Sequence, residues 1–152
     1  MPSHSESRVV PYSTDLMFAI VADVERYPEF LPWTVALRIL KRQRESDAEV
    51  LIAQTVVGFQ ALRERYTSRV VLDRKRYAID VTQTEGVFRQ METHWKFAPL
   101  SETSCRVDFA ILFEFKNRLL SAVAGRAFGL VVAQMTKAFE ERARVLSKQS
   151  LQ

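Results

Sequence analysis

The sequence predicts an α+β fold in which one curved antiparallel sheet wraps around a long carboxy-terminal helix. Three observations predict it. Segments from Val35 to Phe115 alternate apolar and polar residues with period two, as strands do when one face is buried and the other wet. Residues Asn117–Leu146 repeat apolar residues at helical spacing instead. The order strand, helix, short helix, about six strands, long helix puts all helices on one face of one sheet.

Ser5–Tyr12 reads as the first strand, with Pro11 at its end, where a missing amide hydrogen matters least. Ser13 or Thr14 caps the helix that follows, and Asp15 suits the dipole of its first turn. Met17, Ile20, Val21 and Val24 give that helix a buried stripe. Pro28 and Pro32 then leave room for at most a short second helix. The strands show as Val35, Leu37 and Ile39; Val50, Ile52, Gln54 and Val56; Leu62, Tyr66, Ser68, Val70 and Leu72; Tyr77, Ile79 and Val81. Met91, Thr93, Trp95 and Phe97 follow, and then Val107, Phe109, Ile111, Phe113 and Phe115. Asp73–Arg76 and Pro99–Thr103 suit hairpin turns.

A chain of 152 residues without repeat, linker or low-complexity stretch is read as one domain, 1–152. The single cysteine, Cys105, forms no internal disulfide and builds no metal site alone. The amino terminus lacks a basic run followed by an apolar one, so no secretory signal is expected. The most apolar window, Leu119–Ala133, is shorter than the roughly 20 residues of a membrane span and contains Arg126. The expectation is a soluble protein with at most peripheral membrane contact. A net charge of +4 permits an anionic partner and specifies none.

The terminal helix offers Phe128, Val131, Val132, Met135, Phe139 and Leu146 along one side. Small residues Ala122, Ala124, Gly125, Ala127 and Gly129 run through its first half. Glycine within a helix costs about 0.5–1 kcal/mol relative to alanine, so two of them ask for a reason; close approach to the sheet or a bend near the pocket mouth is the expected one. Large residues elsewhere would hold the helix off and leave an apolar cavity walled by Trp95, Phe97, Phe109, Ile111, Phe113, Phe128, Val131, Val132 and Met135. The same stripes also suit a solid core.

The order of elements resembles the helix-grip fold of the START and polyketide-cyclase superfamily. The segments Val10-Pro11-Tyr12-Ser13 and Asp23–Trp33, with Val57-Gly58-Phe59, Tyr66 and Ser68, resemble the coenzyme Q-binding proteins of mitochondria and their bacterial relatives. The resemblance implies a non-enzymatic chaperone or carrier of a ubiquinone-like lipid in respiration, needing no metal or nucleotide cofactor. It implies a cytoplasmic place, peripheral on the inner membrane of a bacterium or on the matrix side in a mitochondrion. Some bacterial relatives are described as toxins acting on ribosome assembly, which leaves an interaction protein as the alternative. A polyketide cyclase-type enzyme is a further one.

Trp33, Tyr66 and Ser68 join the cavity residues as candidate ligand contacts, the hydroxyls facing inward by strand parity. Tyr27, Pro28, Phe30, Leu31 and Pro32 form a stiff apolar segment that either gates the cavity or plugs the edge of the core. Arg63, Arg65, Arg69, Arg74, Lys75 and Arg76 share one hairpin. This is either a solvated sheet face or a surface for anionic headgroups, RNA or an acidic subunit, and no aromatic row of the RNA-stacking kind accompanies it. His4 lies near a chain end, His94 falls on a polar strand face, and no His–carboxylate pair has suggestive spacing in the chain. No catalytic set is expected, nor a metal site.

Overall fold

The computed structural model describes residues 3–59 and 62–150, leaving the side chains of Phe59, Leu62, Ala124, Gln149 and Ser150 undescribed. Strand β1 (Ser3–Val10) leads into α1 (Thr14–Ala22) and a 3-10 segment, Val24–Glu29. Six strands follow: β2 (Thr34–Glu45), β3 (Ala48–Phe59), β4 (Leu62–Asp73), β5 (Ala78–Gly86), β6 (Phe88–Ser101) and β7 (Ser104–Phe115). Helix α2 (Arg118–Ser150) ends the description. The strands form one antiparallel sheet in the order β1-β7-β6-β5-β4-β3-β2. Both helices lie on its concave face, as the alternation predicts.

Local chemistry sets the helix starts. Ser13 Oγ accepts the Leu16 amide at 3.1 Å, and Asn117 Oδ1 accepts the amides of Leu119 at 2.8 Å and Leu120 at 3.2 Å. Each cap satisfies donors that a helix start leaves without an internal partner. Tyr77 turns at a φ of 50° between β4 and β5, and its hydroxyl donates to Asp15 at 2.8 Å, tying that turn to α1.

Two strands differ from the expected pattern. In β3 the concave residues are Leu51, Ala53 and Thr55, set opposite Val70, Ser68 and Tyr66, rather than Val50, Ile52, Gln54 and Val56. Val50 is itself only 1% exposed, so both faces of this inner strand carry apolar residues and alternation gives no parity. In β2 a register shift between Thr34 and Ala36 turns Val35 outward, whereas Leu37 and Ile39 pack on the core. The first strand also begins and ends two residues earlier than the pattern suggests.

The core joins α1, the middle of the sheet and the carboxy-terminal half of α2. Met17, Phe18 and Val21 fill it from α1; Ile79, Trp95, Phe97 and Phe109 from the sheet; Val132, Phe139 and Ala143 from α2. Cys105 is fully buried there, and burial pushes its thiol above the ordinary range.

Candidate ligand cleft

The two halves of α2 do different things. From Val132 onward the helix is seated: Val132, Thr136, Phe139 and Ala143 are buried. Phe139 is ringed by Trp95 at 5.1 Å, Phe30 at 5.4 Å and Tyr27 at 5.5 Å between centroids. Trp95 also meets Phe109 at 4.4 Å, and Phe97 meets Phe18 at 5.9 Å. Four candidate wall residues, Trp95, Phe97, Phe109 and Val132, therefore sit in close-packed core.

Before Val132 no described side chain of the helix is buried: Leu120, Ser121, Ala127, Phe128 and Val131 are only half-buried and the others are exposed. Leu119 is 75% exposed, Leu130 60% and Val123 47%. A Cβ built on Gly125 or Gly129 would meet nothing within 4 Å. The glycines therefore do not serve close approach, contrary to the expectation from spacing. Gly125→Ala and Gly129→Ala are each expected to stabilise the protein by about 0.5–1 kcal/mol, read as a raised melting temperature.

Below this half lies an aromatic floor. Phe113 meets Phe128 of α2 at 5.2 Å and Phe88 at 5.8 Å. Phe88 meets Phe115 at 4.7 Å and Tyr66 at 5.2 Å. An open cleft of about 810 Å³ runs from Phe115, Glu114 and Arg89 on the sheet to Ser121, Gly125, Arg126 and Phe128 on the helix. Ile111, Val131 and Met135 lie half-buried at the junction of the two halves.

Backbone shape holds the floor in place. Gly86 pairs with Tyr66 across the β4–β5 ladder, at a φ of 145° and with the Tyr66 Cβ only 2.5 Å from where a Cβ of its own would stand. Only glycine allows that approach.

The cleft is bordered by the polar side chains of Ser3, Arg89, Glu114, Arg118, Ser121 and Arg126 as well as by Phe115 and Phe128, and deeper on the concave face of β3 and β4 lie the hydroxyls of Thr55, Tyr66 and Ser68. Ser68 and Thr55 are buried at 3% and 4% exposure. Burial raises the Tyr66 phenol above the ordinary tyrosine range, and a hydrogen bond with Thr55 offsets part of that. The Tyr27 phenol is also raised, mainly by burial, and its hydroxyl donates to the Val21 carbonyl.

The segment Tyr27–Trp33 is fastened to the seated half of α2. Besides the ring contacts of Tyr27 and Phe30 with Phe139, Arg142 lies 5.1 Å over the Phe30 ring and bonds Glu29 at 3.1 Å. Pro28, Leu31, Pro32 and Trp33 are half-buried. Trp33 takes a φ of 65°, and its carbonyl accepts the Gly58 amide at 2.9 Å.

The structure adds residues that spacing hides. Because His4, Glu6 and Arg8 pair with Ile111, Phe109 and Val107, they share the concave face. His4 Nε2 lies 3.6 Å from Glu6; that nitrogen and Glu6 Oε1 are closed to solvent without a hydrogen-bond partner. Arg8 is held by Thr136 at 3.2 Å and Glu140 at 2.6 Å. The alternation Ser3-His4-Ser5-Glu6-Ser7-Arg8 carries this signal. On the convex face His94 pairs with Asp80 at 2.6 Å, a cross-strand partner. Both are His–carboxylate pairs that sequence spacing does not show, one made within a strand and one across two. Ser7 donates to Asp108. Among the described residues, no three metal-binding side chains come together.

The basic hairpin is partly neutralised. Arg69 pairs with Glu45 at 2.7 Å, Lys75 with Asp47 at 3.3 Å and Arg76 with Asp73 at 3.8 Å. The Arg74 guanidinium covers the Phe18 ring at 4.8 Å.

A curved sheet that grips a terminal helix at one end and opens onto aromatic rings at the other defines a helix-grip domain of the START-like kind. The chain belongs to the polyketide cyclase / dehydrase and lipid transport family, whose model matches residues 10–140. It is 36% identical over 144 residues to the ribosome association toxin RatA of Escherichia coli K12, covering 95% of this chain and 88% of that one. It is 36% identical over 152 residues to the mitochondrial coenzyme Q-binding protein COQ10 homolog B of Xenopus laevis, covering 97% of this chain and 61% of that protein. The solution structure of the 18 kDa protein CC1736 from Caulobacter crescentus superposes with a TM-score of 0.80 at 33% identity, over 97% of this chain and 99% of that one. A START superfamily protein of Mycobacterium smegmatis gives 0.78 at 22% identity, over 95% of this chain and 98% of that one, a likeness of fold alone.

Proposed function

We propose that this protein binds a ubiquinone-like isoprenoid lipid beneath the amino-terminal half of α2 and acts as its chaperone or carrier, without chemistry of its own. The carrying observation is the lifted half-helix over the Phe88–Phe113–Phe115 floor. An isoprenoid tail is apolar and flexible, and burial at roughly 25 cal/mol per Å² drives it into such a space. Tyr66, Ser68 and Thr55 are the hydroxyls suited to a quinone carbonyl. The likeness to a protein named for coenzyme Q binding supports the choice of ligand. The setting proposed is the cytoplasmic or matrix side of a respiring membrane.

The test is direct. Full-length chain purified from a quinone-rich host is extracted with organic solvent, and the extract is analysed by mass spectrometry. Quinone near one equivalent per chain is the expected result; none overturns the reading.

Ribosome association is the second reading, favoured by the likeness to RatA and by Arg63 and Arg65, which are exposed on β4. Co-sedimentation with ribosomal subunits, lost in Arg63→Glu/Arg65→Glu/Arg69→Glu, would establish it. A cyclase-type enzyme needs an acid–base pair in contact with its substrate. His4 and Glu6 face the right way, but their unpartnered atoms are occluded, and this favours binding over reaction.

A further inference from the structure

The outer side of the lifted half-helix is as apolar as its inner side. At about 100° per residue, Leu119, Val123, Arg126, Leu130 and Ala133 share one side of α2, opposite Phe128 and Met135. Leu119, Val123 and Leu130 are the large apolar residues most exposed on this helix. Further along the same side the residues become Lys137, Glu141, Arg144 and Lys148, an ordinary wet surface. A helix apolar all round belongs in a core or in lipid, and the outer side of this stretch is not in the core.

Charge identifies what covers it. From Lys116 to Phe139 the chain holds Lys116, Arg118, Arg126 and Lys137 and not one carboxylate. Among the described residues, no carboxylate forms a salt bridge with Lys116, Arg118 or Arg126. A second copy packed face to face would set these like charges against each other. An anionic bilayer satisfies both features: leucines enter the interface, and long arginine side chains reach the phosphates.

We propose that residues 118–133 of α2 lie flat on an anionic lipid bilayer through Leu119, Val123 and Leu130, with Arg118 and Arg126 on the headgroup phosphates. Arg118, Arg126 and Phe128 also border the mouth of the cleft, so docking sets that mouth against the lipid. The inference stands on the surface alone and does not depend on which ligand the cleft holds.

Flotation of the full chain with quinone-free vesicles tests it. Phosphatidylcholine vesicles containing one quarter phosphatidylglycerol should carry the protein upward, and pure phosphatidylcholine vesicles should not. Arg126→Gln should lower the partition coefficient about fivefold. Leu119→Asp/Leu130→Asp should lower it more than about tenfold, with melting temperature and extracted quinone unchanged, since both residues point away from the cleft. Absence of flotation, or equal flotation of the double variant, overturns the proposal. So does light scattering that shows a dimer which the double variant splits. Loss of extracted quinone with flotation intact would count against the ligand and spare the docking surface.

Discussion

Phe139→Ala is expected to cost about 3–5 kcal/mol of stability, the range for removing a fully packed aromatic ring. Phe139 is 3% exposed, and its ring is where α2, the sheet and the 3-10 segment meet. Trp95 lies against it from β6, and Tyr27 and Phe30 close over it from the 3-10 segment. The cavity left by alanine cannot collapse without moving all three, so the cost should sit high in the range. Urea denaturation gives the measurement. Leu130→Ala on the same helix, at 60% exposure, should change stability by no more than about 0.5 kcal/mol. Equal effects at the two positions would mean that the exposed side of α2 contributes to stability as much as its buried side.

The second large effect concerns ligand retention. Ile111 on β7 and Val131 on α2 are half-buried, where the solid core gives way to the cleft. Ile111→Phe combined with Val131→Trp should fill that region from both walls. Extracted quinone should fall at least about tenfold, a difference of about 1.4 kcal/mol in binding. Stability should move by less than about 1 kcal/mol if the added atoms enter open space. If the region were already filled, overpacking would cost about 1–3 kcal/mol and retention would have nothing to lose. Measuring a thermal melt and a solvent extract on the same preparation separates the two.

Much of this was legible before any coordinates. The alternation in β4, β6 and β7 and the helical stripe of α2 place Ser68, Val70, Trp95, Phe109 and Phe139 correctly, because each element has one apolar face and one polar face. The pattern fails in β3, where Val50 and Leu51 are both buried and period two carries no parity. The division of the site was not legible. Trp95, Phe97, Phe109 and Val132 have the same residue character as Phe113, Phe128 and Val131, and only distance from the seated half of α2 separates core from cleft. The glycines misled because a small residue is compatible with close contact and with no contact at all. His4 lies near a chain end, yet pairing of β1 with β7 fixes its direction. His94 and Asp80 are fourteen positions apart, so only the β5–β6 register reveals them as neighbours.

A single helix fastened at one end and loose at the other separates endurance from access. Backbone amides from Val132 to Ala143 should exchange with deuterium far more slowly than those from Leu119 to Leu130, which should exchange through cheap local fraying. Gly125 and Gly129 add to that fraying by lowering helix propensity where no neighbour compensates. On the proposed function, a bulky guest would have a way in that leaves the aromatic hub around Phe139 undisturbed, so the doorway could breathe without the protein coming apart.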